Sequence, residues 1–473
     1  MTEYYLLNVS LLIAGILITF GGALHALFGK REARSAFAWV AVCLMWPVVG
    51  TLVYLVFGKN RIKTRARRLH KNIIMETVSE QQATHIPVQL DAGYSSLSRL
   101  SGAVSGRVLS ENNQIEPLFN GINAFPAMLE AIDAAEHSVY LCTYIFSRHG
   151  VGREFIQALR RAHARGVEIR VLIDGVGEKY SFPTARAKLE KLGITVARYL
   201  PVGVFPPRLS LNLRNHRKII VVDGRIAFAG GMNIRQRHIG RAGREASIRD
   251  IHFRLQGPIV GQLQQVFVKD WHFSSSEAIT PPSVSQLSGG GDALCRVIED
   301  GPNEDVDKLI RIMIDAVSSA REKVSIMTPY FLPPRELELA LQTAAMRGVL
   351  VEIVLPAENN LPFVQWATYH MLDELLVSGV RCYLSPGVFT HSKLFMVDDY
   401  YVQLGSANLD ARSLKLNFEL AVEVYDRDLG GRMADHFLQV KEAAAVLDQS
   451  TLPNRNIFAR LRNALFWLMS PYM

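Results

Sequence analysis

One short motif occurs twice in this chain, and the duplication constrains the fold more than any other feature of the sequence. Residues 216–223 and residues 391–398 share the pattern His-x-Lys-x4-Asp, with the second copy 175 positions after the first. Each copy is followed at the same distance by Gly-x-x-Asn, at 230–233 and 405–408. One such string arises readily by chance, whereas two strings at one offset with matching tails indicate an internal duplication.

The duplication extends well beyond the motif. In both halves an amphipathic helix pattern precedes an apolar run typical of a buried strand, and a later helix ends at a glycine before the next strand. The matching pairs are 124–135 and 306–320 (helices), 138–146 and 323–331 (strands), 165–173 and 347–355, and 192–196 and 378–382 (glycine, then strand). Strands that alternate with helices in this way predict two α/β domains built on mixed or parallel sheets.

Each half carries a single motif histidine, which favours one composite site at a pseudo-twofold interface over two independent sites. A stretch rich in Ser, Pro and Gly at residues 274–292 separates the halves and predicts a linker. We therefore predict a first domain at 116–273 and a second domain at 293–450.

The N-terminus is apolar enough to enter a membrane. Hydrophobic residues make up 49% of the chain, and the mean hydropathy is +0.12. Residues 4–28 form one long apolar run, and residues 36–57 form another after a short basic turn. A helix of about 22 residues spans ~33 Å, which matches the hydrocarbon core of a bilayer. These runs predict a transmembrane hairpin within residues 1–60, kinked at Trp46-Pro47, with a monotopic first helix as the alternative.

The net charge of +8 favours an anionic partner, either nucleic acid or acidic lipid. Between residues 59 and 71 all the charged residues are basic. By the positive-inside rule this flank is cytoplasmic, which predicts a multi-pass protein with its bulk on the cytoplasmic side. The surrounding segment, 61–115, is predicted to be a basic juxtamembrane and linker segment suited to anionic head groups. The four scattered cysteines predict neither a zinc site nor a disulfide framework.

The paired motif supplies the groups that cleavage of a phosphodiester requires. His216 and His391 offer a nucleophile for phosphorus and an acid for the leaving oxygen. Cations and amides for the non-bridging oxygens come from Lys218, Lys393, Asn233 and Asn408. No carboxylate cluster is apparent, so we expect neither a metal nor a cofactor. Asp223 and Asp398 complete the set of catalytic candidates, although their position at a turn favours a structural role.

These motifs resemble those of the phospholipase D superfamily. The N-terminal hairpin, the pattern Arg-Ser-Ala-Phe-Ala-Trp at 34–39 and the closing Ser470-Pro471 narrow the resemblance to bacterial cardiolipin synthases, over nearly the whole chain. The resemblance implies two phospholipase D-like α/β domains with one composite active site, behind a transmembrane hairpin in the bacterial cytoplasmic (inner) membrane. It implies that two phosphatidylglycerols become cardiolipin and glycerol through a phosphohistidine. The expected partners are phosphatidylglycerol and anionic membrane lipid, and no nucleic acid is expected.

The resemblance also assigns roles to single residues. It implies that His216 is the nucleophile, that His391 is the general acid, and that an acid downstream of each motif orients a histidine ring. The matching positions are Asp250 and Glu419. Ser406 is expected to contact phosphate, a contact that Gly231 in the first copy lacks. A second departure lies at 147–150, where the usual acid after the first core strand is replaced.

Two basic segments outside the motifs are candidate lipid contacts. Arg235 and Arg237 belong to an arginine-rich stretch after the first motif and are head-group candidates, with a solvated loop as the alternative. Residues 451–473 contain apolar residues at helical spacing, with Arg460 and Arg462 between them. They predict a C-terminal amphipathic membrane-associated segment, with packing onto the protein core as the alternative.

Two alternative functions use the same site. If water replaces the lipid hydroxyl, the chain is a hydrolytic phospholipase D, because both acceptors attack the same phosphohistidine. A membrane-tethered phosphodiesterase or nuclease fits the basic charge, but no basic surface interleaved with aromatic residues is evident. A non-catalytic scaffold is disfavoured because both motifs are intact. The oligomeric state is not indicated by the sequence.

Overall fold

The computed structural model describes residues 2–30, 33–58, 90–91, 93–201, 213–239, 247–282, 290–302, 307–452 and 456–470. The chain divides into two compact units, Met1–Arg68 and Leu69–Met473. The basic run at 59–71, most of the juxtamembrane segment and part of the predicted linker lie outside the described residues. Arg241 and Arg244 of the arginine-rich stretch, and Pro471, also lie outside them.

The first unit is a helical hairpin. Its helices are α1 (Thr2–Gly29), α2 (Ala33–Met45) and α3 (Val49–Val53), followed by a π-helical turn (Tyr54–Gly58). His25 in α1 and Tyr54 in the turn are joined by a hydrogen bond of 2.7 Å between Nδ1 and Oη. Among the described helices, Tyr4–Gly29 alone is long and apolar enough to cross a membrane. The prediction of a first apolar helix is therefore confirmed.

The second predicted span, at 36–57, is wrong as a single continuous helix. The helix ends at Met45, because Pro47 lacks the N–H that the next turn requires and its ring clashes with the preceding turn. Val48 then takes a positive φ of 64° before the chain resumes as α3. Gly50 fits here because a Cβ would lie 2.0 Å from the carbonyl oxygen of Val42. The kink predicted at this position is thus a complete break.

The second unit contains eighteen described strands and eleven described α-helices. The strands are β1 (Ser110–Phe119), β2 (Ser138–Thr143), β3 (Glu168–Asp174), β4 (Thr195–Tyr199), β5 (Arg214–Asn215), β6 (Ile219–Val222), β7 (Ile226–Gly230), β8 (Ile248–Arg249), β9 (Ile251–Gln256), β10 (Ala293–Asp300), β11 (Lys323–Met327), β12 (Leu350–Pro356), β13 (Arg381–Ser385), β14 (Phe389–Thr390), β15 (Leu394–Val397), β16 (Tyr401–Gly405), β17 (Asn417–Tyr425) and β18 (Ala445–Leu447). The helices are α4 (Ser95–Ser105), α5 (Asn120–Asp133), α6 (Val151–Ala164), α7 (Ala185–Glu190), α8 (Ile259–Ser275), α9 (Lys308–Ser319), α10 (Arg335–Met346), α11 (Pro362–Val377), α12 (Ala411–Lys415), α13 (Arg427–Glu442) and α14 (Ile457–Leu468). Two 3-10 helices lie at Gly177–Tyr180 and Gln236–Ile239.

The main sheet has the same strand order in both halves. The first half runs β1-β9-β7-β6-β2-β3-β4, and the second runs β10-β17-β16-β15-β11-β12-β13, with β18 added at its edge. In each half the first four pairings are antiparallel and the last two are parallel. The antiparallel pair β1–β10 joins the halves. The predicted fold class, two related α/β domains on a mixed sheet, is confirmed.

Each half has its own hydrophobic core between the sheet and its helices. Leu141 and Phe155 lie in the first core, and Ile326 and Leu341 lie in the second. The glycines predicted to end four helices or turns all have positive φ, as that position requires: Gly166 (89°), Gly193 (80°), Gly348 (91°) and Gly379 (93°). The strand β1 crosses the predicted boundary between 115 and 116, so the domain boundaries themselves remain a proposal.

Two short strands cross between the halves. The strand β5, directly before His216, pairs in parallel with the start of β17 in the second half. The strand β14, directly before His391, pairs in parallel with β8 in the first half. The backbone N–H of His216 donates to Phe418 at 2.9 Å, and that of His391 donates to Arg249 at 2.7 Å. Each motif histidine is therefore held in place by the opposite half.

The aspartate that ends each motif anchors the strand beside it. Asp223 and Asp398 both have a φ of 52°, at the turn after the motif strand. Each carboxylate accepts three backbone N–H groups at 2.7–2.9 Å, from Glu136, His137 and Ser138 in the first half and from Arg321, Glu322 and Lys323 in the second. These contacts favour the structural role for both aspartates, although they stood among the catalytic candidates.

The C-terminal helix α14 has one face packed on the protein and one exposed apolar face. One face packs on α11, where the guanidinium of Arg462 lies 4.5 Å from the ring centre of Trp366 and Phe466 contacts the same ring. The opposite face exposes its large apolar side chains: Phe458 (80%), Leu461 (57%), Leu465 (55%) and Leu468 (59%). The packing alternative therefore holds for one face, while the other retains the apolar surface expected of a membrane-associated helix.

A buried ion pair fixes the start of the first motif. Arg217 lies between the motif histidine and lysine, and its Nη1 donates to both carboxylate oxygens of Asp270, at 2.8 and 2.9 Å. Its Nη2 lies 3.4 Å from Glu299, and its Nε donates to the carbonyl of Glu419 at 3.1 Å. Both side chains of the Arg217–Asp270 pair are almost fully buried, so neither charge has access to water.

Asp270→Asn should lower the free energy of unfolding by ~3–5 kcal/mol, because the buried charge of Arg217 then has only Glu299, 3.4 Å away, as an anionic partner. The matched control is Lys269→Gln, since Lys269 is about one-third exposed and lies 3.3 Å from Glu299. That change should cost less than ~1 kcal/mol. Denaturant unfolding followed by tryptophan fluorescence measures both, and equal losses would contradict the importance of the buried pair.

Candidate active site

The two motifs place their histidines and lysines in one buried site. His216 and Lys218 lie between β5 and β6, and His391 and Lys393 lie between β14 and β15. The histidine side chains are 13% and 12% exposed. Each lysine Nζ donates to the carbonyl of its own motif histidine at 2.5 Å. Each histidine also interacts electrostatically with the lysine of the other half, so the four side chains form the composite site that the sequence predicted.

Each histidine is paired with a carboxylate from the opposite half. His216 Nδ1 lies 3.0 Å from Oε1 of Glu419, and His391 Nδ1 lies 2.7 Å from Oδ2 of Asp250. Both carboxylates are fully buried. These are the two acids that the resemblance implied. We refer to the pairings of β5 with β17 and of β14 with β8 as the strand exchange. The histidine–carboxylate pairs cross between the halves because β17, which carries Glu419, lies beside β5, and β8, which leads into Asp250, lies beside β14.

The pKa values of the four motif side chains all fall below their ordinary values. Burial and the charge of Lys393, opposed by Glu419, together lower the pKa of Lys218 to about 7. Burial likewise lowers the pKa of Lys393 to about 8. Burial and Lys393 lower the pKa of His391 to about 4, and burial lowers that of His216. The cause is burial, together with the closeness of several cationic groups. Such a site favours the binding of an anion.

The two carboxylates stay ionised within this environment. Burial acts to raise the pKa of Asp250, but Lys393 and His391 outweigh it and bring the value to about 2. Burial also acts to raise the pKa of Glu419, but His216 and Lys218 bring it below its ordinary value. A carboxylate held as an anion fixes the proton of its histidine on Nδ1 and leaves Nε2 available for chemistry.

The two carboxylates have different neighbours, which breaks the pseudo-twofold symmetry. Ser406 Oγ donates to Oε2 of Glu419 at 2.5 Å, and Asn417 Nδ2 donates to Oε1 at 3.0 Å. At the equivalent position in the first half, a Cβ on Gly231 would lie 2.5 Å from Oδ1 of Asp250. Ser406, predicted to contact phosphate, therefore has its hydroxyl committed to Glu419. Gly231 is required because the Asp250 carboxylate occupies the space of a side chain.

The two asparagines after the motifs also differ. Asn233 accepts the backbone N–H of Ile145 at 3.1 Å. The side-chain oxygen of Asn408 is buried and has no hydrogen-bond partner among the residues that the structure describes. Both lie in the buried region predicted for phosphate contacts, and because phosphate oxygens accept hydrogen bonds, such a contact has to come from the Nδ2 group of either asparagine.

His238 is a buried histidine beside the site that the sequence did not single out. It is 3% exposed, its Nδ1 lies 3.7 Å from Oδ2 of Asp250, and its ring centre lies 5.7 Å from that of His391. His238, Asp250 and His391 each present a ligand atom within 4.8 Å of the others, so these residues could hold a metal ion. The cluster was missed because the three residues come from distant parts of the sequence and follow no metal-ligand spacing.

Aromatic side chains and arginines form the walls of the site. The ring centre of Tyr144 lies 5.3 Å from that of His216 and 5.8 Å from Nζ of Lys218. On the other side, Phe389 lies 6.0 Å from His391 between ring centres. Of the two head-group candidates, Arg235 is half-buried and interacts with the exposed Tyr180, which itself contacts Tyr144. Arg237 is exposed.

Two protein-family models match parts of this chain. The family described as "Cardiolipin synthase, PLD-like domain" matches residues 128–271 and 313–441, one region in each half. A second family, "Phospholipase D-nuclease N-terminal", matches residues 17–59. Cardiolipin synthase 1 of Staphylococcus epidermidis is 30% identical over 460 residues, covering 94% of this chain and 93% of its own length. The chain belongs to the cardiolipin synthase family.

Other relatives extend the match. The major cardiolipin synthase of Bacillus subtilis is 28% identical over 458 residues, covering 94% of this chain and 95% of its own length. The crystal structure of phosphatidylserine synthase from Haemophilus influenzae has a TM-score of 0.58 at 16% identity, over 80% of this chain and 98% of that one. This likeness confirms the phospholipase D-like fold. Within its family, the chain is an enzyme of phospholipid biosynthesis with phosphatidyltransferase activity.

The neutral state of His391 makes stability depend on pH. Its pKa is about 4 in the folded chain against an ordinary value of 6.5, so between these values the unfolded chain binds more protons. The free energy of unfolding should therefore decrease as the pH falls from 6.5 to 4, with ~3 kcal/mol of the loss due to this group. His391→Gln should show a shallower fall in the midpoint of thermal unfolding over this range. The exposed His149, changed to Gln, is the control that should keep the wild-type slope, and equal slopes in all three proteins would contradict the assignment.

Proposed function

We propose that the chain transfers a phosphatidyl group from one phosphatidylglycerol to a hydroxyl of a second one, giving cardiolipin and glycerol through a phosphohistidine. The observation that carries the proposal is the pair of buried histidines, each held by a carboxylate of the opposite half, beside two buried lysines. A nucleophile, an acid and two cations are the groups that a double displacement at phosphorus requires. Phosphatidylglycerol and anionic membrane lipid are the proposed partners.

In the first half-reaction His216 is the nucleophile. Glu419 accepts a hydrogen bond from Nδ1–H of His216, which leaves the lone pair of Nε2 free to attack phosphorus. A bond forms between Nε2 and phosphorus while the bond from phosphorus to the glycerol oxygen breaks. The leaving oxygen takes a proton from His391, whose cationic form Asp250 stabilises. The products are a phosphatidyl-histidine and free glycerol.

In the second half-reaction His391 acts as a base. Now neutral, it takes the proton from a hydroxyl of the second phosphatidylglycerol. The oxygen of that hydroxyl forms a bond to phosphorus, and the bond from phosphorus to Nε2 of His216 breaks. Cardiolipin leaves, and both histidines return to their starting protonation states. Water at the same position would give phosphatidic acid instead.

Binding of the donor prepares the acid. In the empty site the pKa of His391 is about 4, and its neighbours Lys218 and Lys393 have pKa values of about 7 and 8. A phosphodiester brings a negative charge among these groups, which favours the protonated form of each and raises all three pKa values. Substrate binding therefore supplies the protonated His391 on which the first half-reaction depends.

The proposal extends to the membrane. The apolar helix Tyr4–Gly29 and the family match at 17–59 support membrane association. We propose a multi-pass arrangement in the bacterial cytoplasmic membrane with the catalytic halves on the cytoplasmic side, as the basic run at 59–71 indicates. The exposed apolar face of α14 adds a second contact with the bilayer.

The full-length protein, purified in detergent and given phosphatidylglycerol alone, should release cardiolipin and glycerol in equal amounts, with or without a chelator. His216→Ala and His391→Ala should each lower the rate by at least ~1,000-fold, and the double variant should be no slower, because the residues act as one unit. His149→Ala, at an exposed histidine, is the control. Phosphatidic acid as the main product would establish the hydrolase alternative, and substantial activity in either single variant would indicate two independent sites.

The roles of the two histidines can be separated with a better leaving group. A donor that releases p-nitrophenolate needs no acid, so His391→Ala should still release one equivalent of p-nitrophenolate per enzyme and then stall as the phosphatidyl-enzyme. His216→Ala should release none, because no nucleophile is present. Rapid-mixing absorbance measures the burst, and mass spectrometry locates the phosphatidyl group. A burst in His216→Ala with label on His391 would reverse the assignment.

A further inference from the structure

A second group of cations lies beside the catalytic site. Arg214 donates to the hydroxyl of Tyr144, and Arg235 and Arg412 interact electrostatically with Tyr180. We refer to these three arginines as the arginine cluster. The cluster draws on both halves, since Arg412 follows the second motif and the other two residues belong to the first half. The proposed mechanism uses none of them.

The strand exchange brings the cluster together. Arg214 in β5 lies directly opposite Asn417 at the start of β17. The helix α12, which carries Arg412, ends just before that strand and packs against it. Arg214 Nη1 donates to the hydroxyl of Tyr144 at 2.8 Å. The same interface that assembles the histidine–carboxylate pairs therefore also sets Arg412 near Arg214.

Arg412 has an uncommitted donor. Its Nη1 is buried and has no hydrogen-bond partner among the residues described. Burial and the positive charge of Arg214 both lower its pKa, so two guanidinium groups repel each other here. The carboxylate of Asp410 offsets this repulsion only weakly. It accepts the backbone N–H of Ser413 at 2.7 Å, and burial raises its pKa to about 6. An arrangement that is unfavourable when empty becomes favourable when an anion binds.

The cluster is separated from the reacting groups by one aromatic ring. Tyr144 contacts Arg214 through its hydroxyl, and its ring centre lies 5.3 Å from that of His216. In phosphatidylglycerol a three-carbon glycerol separates the terminal hydroxyl from the lipid's own phosphate. The acceptor hydroxyl lies beside His391, across the phosphorus from His216, so the acceptor's own phosphate lies one glycerol away from the reacting phosphorus. The arginine cluster is a second set of cations, separated from that centre by the ring of Tyr144. The reacting phosphate needs no arginine, because Lys218 and Lys393 already match it.

We infer that Arg214 and Arg412 bind the phosphate of the acceptor lipid, the phosphodiester that does not react, and thereby select an anionic acceptor. This inference rests on the proposed function, since it names the residues that receive the second phosphatidylglycerol. Arg235, a head-group candidate from the sequence, lies at the outer side of this site beside Tyr180. Guanidinium groups suit the role because each offers two parallel donors to two phosphate oxygens.

The test compares two acceptors for the same phosphatidyl-enzyme. Phosphatidylglycerol carries a phosphate, whereas radiolabelled glycerol carries none and returns the enzyme to labelled phosphatidylglycerol. In full-length Arg412→Gln the concentration of phosphatidylglycerol needed for half-maximal cardiolipin synthesis should rise about 10- to 100-fold, as expected for a lost charged hydrogen bond. Glycerol exchange should stay within about twofold of wild type, because neither the donor site nor the histidines change. Arg412→Lys should recover part of the loss, and Arg311→Gln, at an exposed arginine in α9, should change neither rate.

The outcomes separate this inference from the proposed function. If the wild type forms neither cardiolipin nor labelled phosphatidylglycerol, the proposed function fails and the inference with it. If the wild type forms both and Arg412→Gln loses both equally, the arginine serves the donor or the fold, and the inference is overturned. Unchanged cardiolipin synthesis in both Arg412→Gln and Arg214→Gln would also overturn it. A selective loss of cardiolipin synthesis in either variant supports it.

Discussion

The crossed pairing of each motif histidine with a carboxylate from the opposite half is the interaction on which the rest of the candidate active site depends. His216 cannot be oriented without Glu419, and His391 cannot be oriented without Asp250. Since each carboxylate belongs to the half opposite its histidine, neither half contains a complete site. The parallel pairings of β5 with β17 and of β14 with β8 are therefore part of the catalytic machinery as much as of the fold.

The two histidine–carboxylate pairs have different surroundings, although both halves share the same sheet topology. Glu419 receives hydrogen bonds from Ser406 and Asn417, while Asp250 has His238 near it and Gly231 beside it. A nucleophile must keep one tautomer throughout the cycle, and a carboxylate held by two further donors provides that constancy. An acid that alternates between charged and neutral forms is better served by a carboxylate with fewer fixed partners. This difference supports the proposal that His216 is the nucleophile and His391 the acid.

The sequence predicted the paired motifs, the duplicated α/β halves and the first apolar helix because each leaves a local or periodic signal. It also identified Asp250 and Glu419 through the family resemblance. It did not identify His238, Asn417 or Arg412, because their importance arises from contacts between distant segments that only the strand exchange creates. The second apolar run was wrong as a continuous span for a local reason, since Pro47 interrupts the helix after Met45. The sequence predicted that Ser406 contacts phosphate, because only the folded chain shows that Glu419 lies beside it and accepts its hydroxyl hydrogen bond.

Electrostatics relates the empty site to its substrate. Two buried lysines with lowered pKa values, and a half-buried arginine with a buried and unsatisfied donor, mark places where positive charge is held away from water at a cost in stability. Anionic phosphate offsets that cost at both places, first at the lysines and then at the arginine cluster. A site with one such place would distinguish a phosphodiester from other molecules but would accept water or any alcohol as readily as a lipid. The second place adds the requirement that the acceptor itself carry a phosphate, which is the difference between a synthase that joins two anionic lipids and a hydrolase with the same histidines.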